Sequence, residues 1–132
     1  MKKILFLATT LILFIGSTNG QGIEFLEVSW KEALAKAKSE NKLLFVDAYT
    51  TWCGPCKAMD KSLDEYESAG ASSSQKVKIV RLDVDANPKL ASHYNVSSIP
   101  QTFVFDKGKV IGHHVGALDT AEIRSWVDSL VK

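Results

Sequence analysis

The stretch Leu43-Leu44-Phe45-Val46-Asp47-Ala48-Tyr49 is too short and too continuously apolar for a surface helix. It reads as a central strand buried on both faces. After three intervening residues come Cys53-Gly54-Pro55-Cys56, which hold the only two cysteines of the chain. A strand feeding Cys-x-x-Cys at the mouth of a helix is the layout that a thiol–disulfide exchange centre needs. Any thiol chemistry of this chain therefore happens at one place.

The rest of the pattern builds a sheet around that strand. Ile23 to Leu26 reads as a short edge strand, and Ser29 with Glu32 as a capping box opening a helix. Trp30, Leu34 and Ala37 form its core stripe, and Asn41 ends it. Beyond the cysteines, Met59, Leu63 and Tyr66 mark a second helix, followed by a loop of flexible composition over 70–75. Val77 to Val84 reads as another buried strand, and Pro88 after Asn87 as the start of a short helix. Thr102–Phe105 and Lys109–Val115 flank Asp106-Lys107-Gly108, a hairpin signal. Asp119 with Glu122 then caps a final helix with Ile123, Trp126, Val127 and Leu130 on one face. The expected fold is α/β, with a mixed central sheet of about five strands flanked by four helices.

Residues 1–20 have the three parts of a secretory signal peptide: Lys2 and Lys3, the apolar run Ile4–Ile15, then small and polar residues. The mature chain is expected to begin near Gln21 and to form one domain over 21–132. An uncleaved anchor would need about 18–20 apolar residues, more than this run supplies. No cysteine closes the run, which argues against a lipid anchor. Loss of the two lysines leaves 14 basic against 15 acidic residues, a formal charge of −1. That balance argues against nucleic acid or an anionic membrane surface as the main partner. A single cysteine pair closing so short a loop is a poor structural staple, so a reactive role explains it better.

Exchange needs an attacking thiolate and a second thiol to release the mixed disulfide. Cys53 as N-cap would accept the N–H of Cys56 and meet the positive end of the helix, lowering its pKa below the free value of about 8.5. Pro55 falls in the first turn, where its missing donor costs nothing. Cys56, one turn inward, is better shielded.

The segment from Asp47 to Lys57 closely resembles the active-site stretch of thioredoxins. Asp83-Val84-Asp85-Ala86-Asn87-Pro88, Val96-Ser97-Ser98-Ile99-Pro100, Gly108 and Val115-Gly116-Ala117 resemble the family in order and spacing. The resemblance implies the thioredoxin fold, with Cys53 as nucleophile, Cys56 as resolving thiol and Asp47 as the buried acid that helps proton transfer. It implies a cis Pro100 facing the disulfide, Ile99 offering backbone bonds to an extended substrate, and Trp52, Gly116 and Ala117 as a flat docking rim. Gly54 and Pro55 between the cysteines match the reducing members. Lys57 and Arg81 play supporting electrostatic parts.

Bland readings stand beside these. Asp47 could be a surface acid at a strand end, but it alternates with Phe45 and Tyr49 inside an apolar run. Pro100 could be a trans turn proline, and Trp52 a core residue. His113-His114 invites a metal reading, but neighbours on a strand point to opposite faces, so no metal site is expected. His93 reads as a surface helix residue. Ala58-Met59-Asp60-Lys61 stands where the family has a helix proline, so a straighter helix is expected. Arg81 stands where many members have lysine, and is expected to hold Asp47 in its charged form.

The expected function is an exported reductant of protein disulfides, in the periplasm of a bacterium. It would act as a monomer without cofactor beyond its Cys53–Cys56 disulfide, recharged by a membrane thiol relay. The alternatives are a net oxidase or isomerase of the same fold, and a metal-binding carrier module using the two cysteines, for which four tetrahedral ligands are lacking.

Overall fold

In the computed structural model, residues 27–70 and 72–131 are described. The expected strand Ile23–Leu26 and the leader segment lie outside the described residues. Helix α1 spans Glu27–Ser39, strand β1 Leu43–Tyr49, helix α2 Gly54–Ser68 and strand β2 Val77–Asp83. Helix α3 spans Pro88–His93, strands β3 and β4 Gln101–Asp106 and Lys109–Val115, and helix α4 Thr120–Leu130.

Strand β1 is the axis of the sheet because both of its edges are paired. It runs parallel to β2 (Phe45 opposite Ile79, Asp47 opposite Arg81) and antiparallel to β3 (Val46 opposite Phe103, Asp47 opposite Thr102). Strand β4 pairs antiparallel with β3, giving a mixed four-stranded sheet in the order β2-β1-β3-β4 among the described residues. The sequence suggested about five strands. The difference is the segment before Glu27.

Period-two alternation along the strands sorts side chains into two cores. Leu44, Val46, Leu82, Phe103 and Phe105 pack with Trp30 and Ala37 of α1 and Leu90 of α3. Phe45, Val77 and Val104 pack on the opposite face with Met59, Leu63 and Tyr66 of α2 and Ile123 and Val127 of α4. Burying side chains of this size stabilises the fold by about 1.5–3 kcal/mol each before entropy is counted. Asp47 belongs by its parity to the Phe45 face, under α2.

Local signals explain most boundaries. Asn41 adopts a left-handed φ of 54° past the end of α1, and the Lys42 N–H reaches the Ala37 carbonyl at 2.9 Å, a Schellman-type stop. The Asp119 carboxylate accepts the Glu122 N–H at 2.8 Å while Glu122 accepts the Asp119 N–H at 2.9 Å, the capping box expected for α4. Lys107 and Gly108, with φ of 50° and 84°, form the two-residue turn joining β3 to β4.

Two expectations need correction. Ser29 is not a cap, because α1 is already under way at Glu27 and no glycine or proline breaks it between the two. The loop after α2 is anchored: Ser73 is buried against the Tyr66 hydroxyl at 3.1 Å, and Ser74–Lys76 forms a 3₁₀ turn. Loop composition misses this because the anchor is a long-reaching tyrosine from the preceding helix. Helix α2 itself runs as one element over its 15 residues. Among the described residues, no helix is long and apolar enough to cross a membrane.

Candidate active site

The end of β1 delivers the chain to the cysteines. After Tyr49 the backbone turns through Thr50 to Trp52, and Cys53 sits at the N-cap of α2 with extended φ/ψ of −87° and 116°. Its sulfur accepts the Cys56 N–H at 3.3 Å, one of the donors that a helix start leaves unpaired. Pro55 occupies the first turn, and Gly54 and Pro55 are exposed. The two cysteines are joined by a disulfide across a Cα–Cα distance of 5.3 Å, the oxidised form of the pair. Both are buried, Cys56 at 3% exposure and Cys53 at 6%, and Met59, one turn further along α2, is fully buried. A thiolate at Cys53 would meet both the Cys56 N–H and the positive end of α2.

Trp52 lies outside the core. The residue is 71% exposed, and its ring is held by a hydrogen bond from the indole N–H to the Asp85 carboxylate at 2.8 Å. Asp85 belongs to a turn organised by Asp83, whose carboxylate accepts the N–H groups of Asp85 and Ala86. The Ile99–Pro100 peptide is cis and leads directly into β3. The Gly116 N–H donates to the Pro100 carbonyl at 2.9 Å. Gly116 makes that contact with φ at 105°, a conformation that side-chain-bearing residues rarely adopt. Ala117 beside it is exposed, and Ile99 is half-buried.

Beneath the disulfide, a pocket of about 170 Å³ is lined by Asp47, Thr50, Cys56, Lys57, Asp60 and Arg81 among others. Asp47 is 1% exposed, and its Oδ1 has no hydrogen-bond partner. The hydroxyl of Thr102, its cross-strand neighbour, is likewise buried and unpaired. Burial raises the Asp47 pKa to about 7, with Arg81 pulling it down and Asp60 pushing it up by smaller amounts.

Arg81 therefore acts on Asp47 in the expected direction, but too weakly to hold it charged. It sits opposite Asp47 in the β1–β2 register, yet its guanidinium is committed elsewhere. Nε faces the Asp60 carboxylate, and one terminal nitrogen donates to Asp64 at 2.9 Å. Desolvation of Asp47 outweighs the remaining attraction, so the acid is held near neutrality of charge instead of firmly ionised. Asp60 and Asp64 were not evident as site residues. Their signal was available: acids four apart share one face of α2, the spacing that lets both reach one cation. Asp85 and Thr102 carry no comparable local mark.

The remaining sequence candidates separate. Lys57 is exposed at the pocket mouth. His113 stacks on Phe103 and touches Gln101 at 2.7 Å, whereas His114 leans toward Trp126 of α4, so the two rings occupy opposite faces of β4. His93 is exposed on α3.

This geometry has close parallels. The Thioredoxin family model matches residues 23–129. Thioredoxin of Echinococcus granulosus is 42% identical over 98 residues, covering 74% of this chain and 87% of the relative. Thioredoxin of Rhodospirillum rubrum is 32% identical over 105 residues, covering 80% and 95%. Among solved structures, the germline-specific thioredoxin Deadhead of Drosophila melanogaster superposes with a TM-score of 0.71 at 25% identity, covering 84% of this chain and 100% of its own. Chloroplastic thioredoxin z gives 0.68 at 26% identity, covering 83% and 95%. The family match spans the cysteine loop and all of the described elements but the last residue of α4, and on that ground the chain belongs to the thioredoxin family and is a thiol–disulfide oxidoreductase.

Proposed function

We propose that this protein reduces disulfides of other proteins in an exported compartment, the periplasm of a bacterium, and that a membrane thiol relay returns it to the dithiol form. The observation that carries the chemical reading is the Cys53 sulfur on the N-terminus of α2, accepting the Cys56 N–H above a buried Asp47. The leader-like residues 1–20 support export, and Gly54-Pro55 between the cysteines supports the reducing direction.

In the reduced form Cys53 is the attacking thiolate. It adds to one sulfur of a substrate disulfide, the substrate S–S bond breaks, and one substrate sulfur leaves as a thiolate that takes up a proton. Cys56 then attacks the Cys53 sulfur of the mixed disulfide, giving up its proton to the Asp47 carboxylate that lines the same pocket. The second substrate thiolate leaves, the Cys53–Cys56 bond forms, and two electrons have passed to the substrate. An acid with a pKa of about 7 can both take and return that proton near neutral pH. In this reading Trp52, Ile99, Pro100, Gly116 and Ala117 form the surface on which an extended substrate segment lies, with the protein working as a monomer.

The test is to replace Cys56 by Ser and present a disulfide-bonded protein such as insulin. Attack proceeds and resolution cannot, so a stable mixed disulfide through Cys53 is expected. Accumulation of adducts on Cys56 in the converse Cys53→Ser variant, with none in Cys56→Ser, would reverse the roles.

A further inference from the structure

The pocket under the disulfide contains more charge than proton transfer to one acid requires. Looking outward from Asp47, strand β2 contributes Arg81, and helix α2 contributes Lys57 and Asp60 at the pocket wall. Asp64 and Glu67 lie further along α2, and both act on the field around Arg81. Strand β3 contributes only the uncharged Thr102. The single cation placed directly across the sheet from Asp47 is thus Arg81. Left alone, a guanidinium there would pair with the orphaned carboxylate and fix it as an anion.

It is not left alone. Asp60 and Asp64, one turn apart on α2, both hold the Arg81 guanidinium, the second at 2.9 Å. Their side chains keep half or more of their exposure, at 52% and 68%, while they engage Arg81, whose side chain is 22% exposed. Burial works against the charge on Arg81, but Asp60, Asp64 and Glu67 together outweigh it and hold its pKa above the ordinary value. Asp47 Oδ1, meanwhile, has no partner.

We propose that Asp60 and Asp64 are positioning residues that hold Arg81 on the α2 side of the pocket and so prevent it from pairing with Asp47. They act through Arg81, whose place sets how readily Asp47 takes a proton. Its catalytic meaning rests on the proton-transfer reading of Asp47, but the electrostatic arrangement can be measured without it.

The experiment follows the Asp47 carboxyl carbon by NMR through a pH titration in wild type, Asp60→Asn/Asp64→Asn, Arg81→Met and the triple variant. Freed from its acids, Arg81 turns to Asp47, and the midpoint falls by about one pH unit or more. In the Arg81→Met background the same two Asn substitutions move it far less, since only their direct field on Asp47 remains. Should Arg81→Met fold poorly, Arg81→Gln supplies the same comparison. A midpoint unmoved in the Asn pair, or moved equally with and without Arg81, overturns the proposal. Turnover of a disulfide substrate is recorded across the same pH range. If the midpoint falls as expected while the pH profile of turnover stays fixed, the Arg81 arrangement stands and the proton-transfer role of Asp47 falls.

Discussion

At the scale of single residues, Asp47 concentrates the conflict between stability and chemistry. The folded protein keeps a proton on Asp47 up to about pH 7, while the unfolded chain loses it near 3.8. Between those values folding takes up a proton, so the Asp47 contribution to stability declines as pH rises and its cost is complete above about 7. Asp47→Asn is therefore expected to stabilise the protein at pH 8 by up to a few kcal/mol, at about 1.4 kcal/mol per unit of pKa shift, with the advantage vanishing below pH 4. Urea melts at pH 4 and pH 8 measure it. Equal stabilisation at both values would show that the gain comes from packing. The position of Asp47 was legible in the sequence because alternation with Phe45 puts both on one face. The four-residue spacing of Asp60 and Asp64 was legible too, but not that Arg81 is the cation they share, because that pairing joins a strand to a helix across an intervening loop.

At the scale of elements, boundaries set by capping chemistry were readable and those set by distant contacts were not. The Asp119 box and Asn41 stop are local, so residue type declares them; the anchoring of Ser73 by Tyr66 and the bulge in β4 depend on what lies opposite. That bulge falls where Val104 pairs with Gly112 but Phe105 pairs with Val110, leaving Ile111 as the extra residue. It brings Gly112 under α4, where an added Cβ would stand 3.0 Å from the Trp126 ring and 3.1 Å from Leu130. Gly112→Val is expected to lift the C-terminal helix and destabilise the fold by about 1–3 kcal/mol. Chemical denaturation with Trp fluorescence measures this, and an unchanged midpoint would mean that Trp126 can swing aside freely.

At the scale of the whole molecule, the redox pair and the fold are linked by one thermodynamic cycle. If folding favours the disulfide over the dithiol, the potential falls below that of an unfolded Cys-x-x-Cys segment, by 30 mV for about each 1.4 kcal/mol. A reductant is thus a protein whose oxidised form is the more stable, and denaturation of the two forms is expected to show it here. A more stable reduced form would make the protein an oxidant. The two-core sheet was largely legible from alternating strand and helix patterns, whereas strand order required the paired registers. Those registers also settle which end is which: Ala48 pairs with Gln101 beside the cis proline, while Leu44 pairs with Phe105 next to the Lys107-Gly108 turn. The turn is exposed and lies at the end of the sheet away from the cysteines. A linker, fluorophore or electrode tether inserted there would leave the thiol face turned outward, so this hairpin is the natural handle for wiring the protein to a surface.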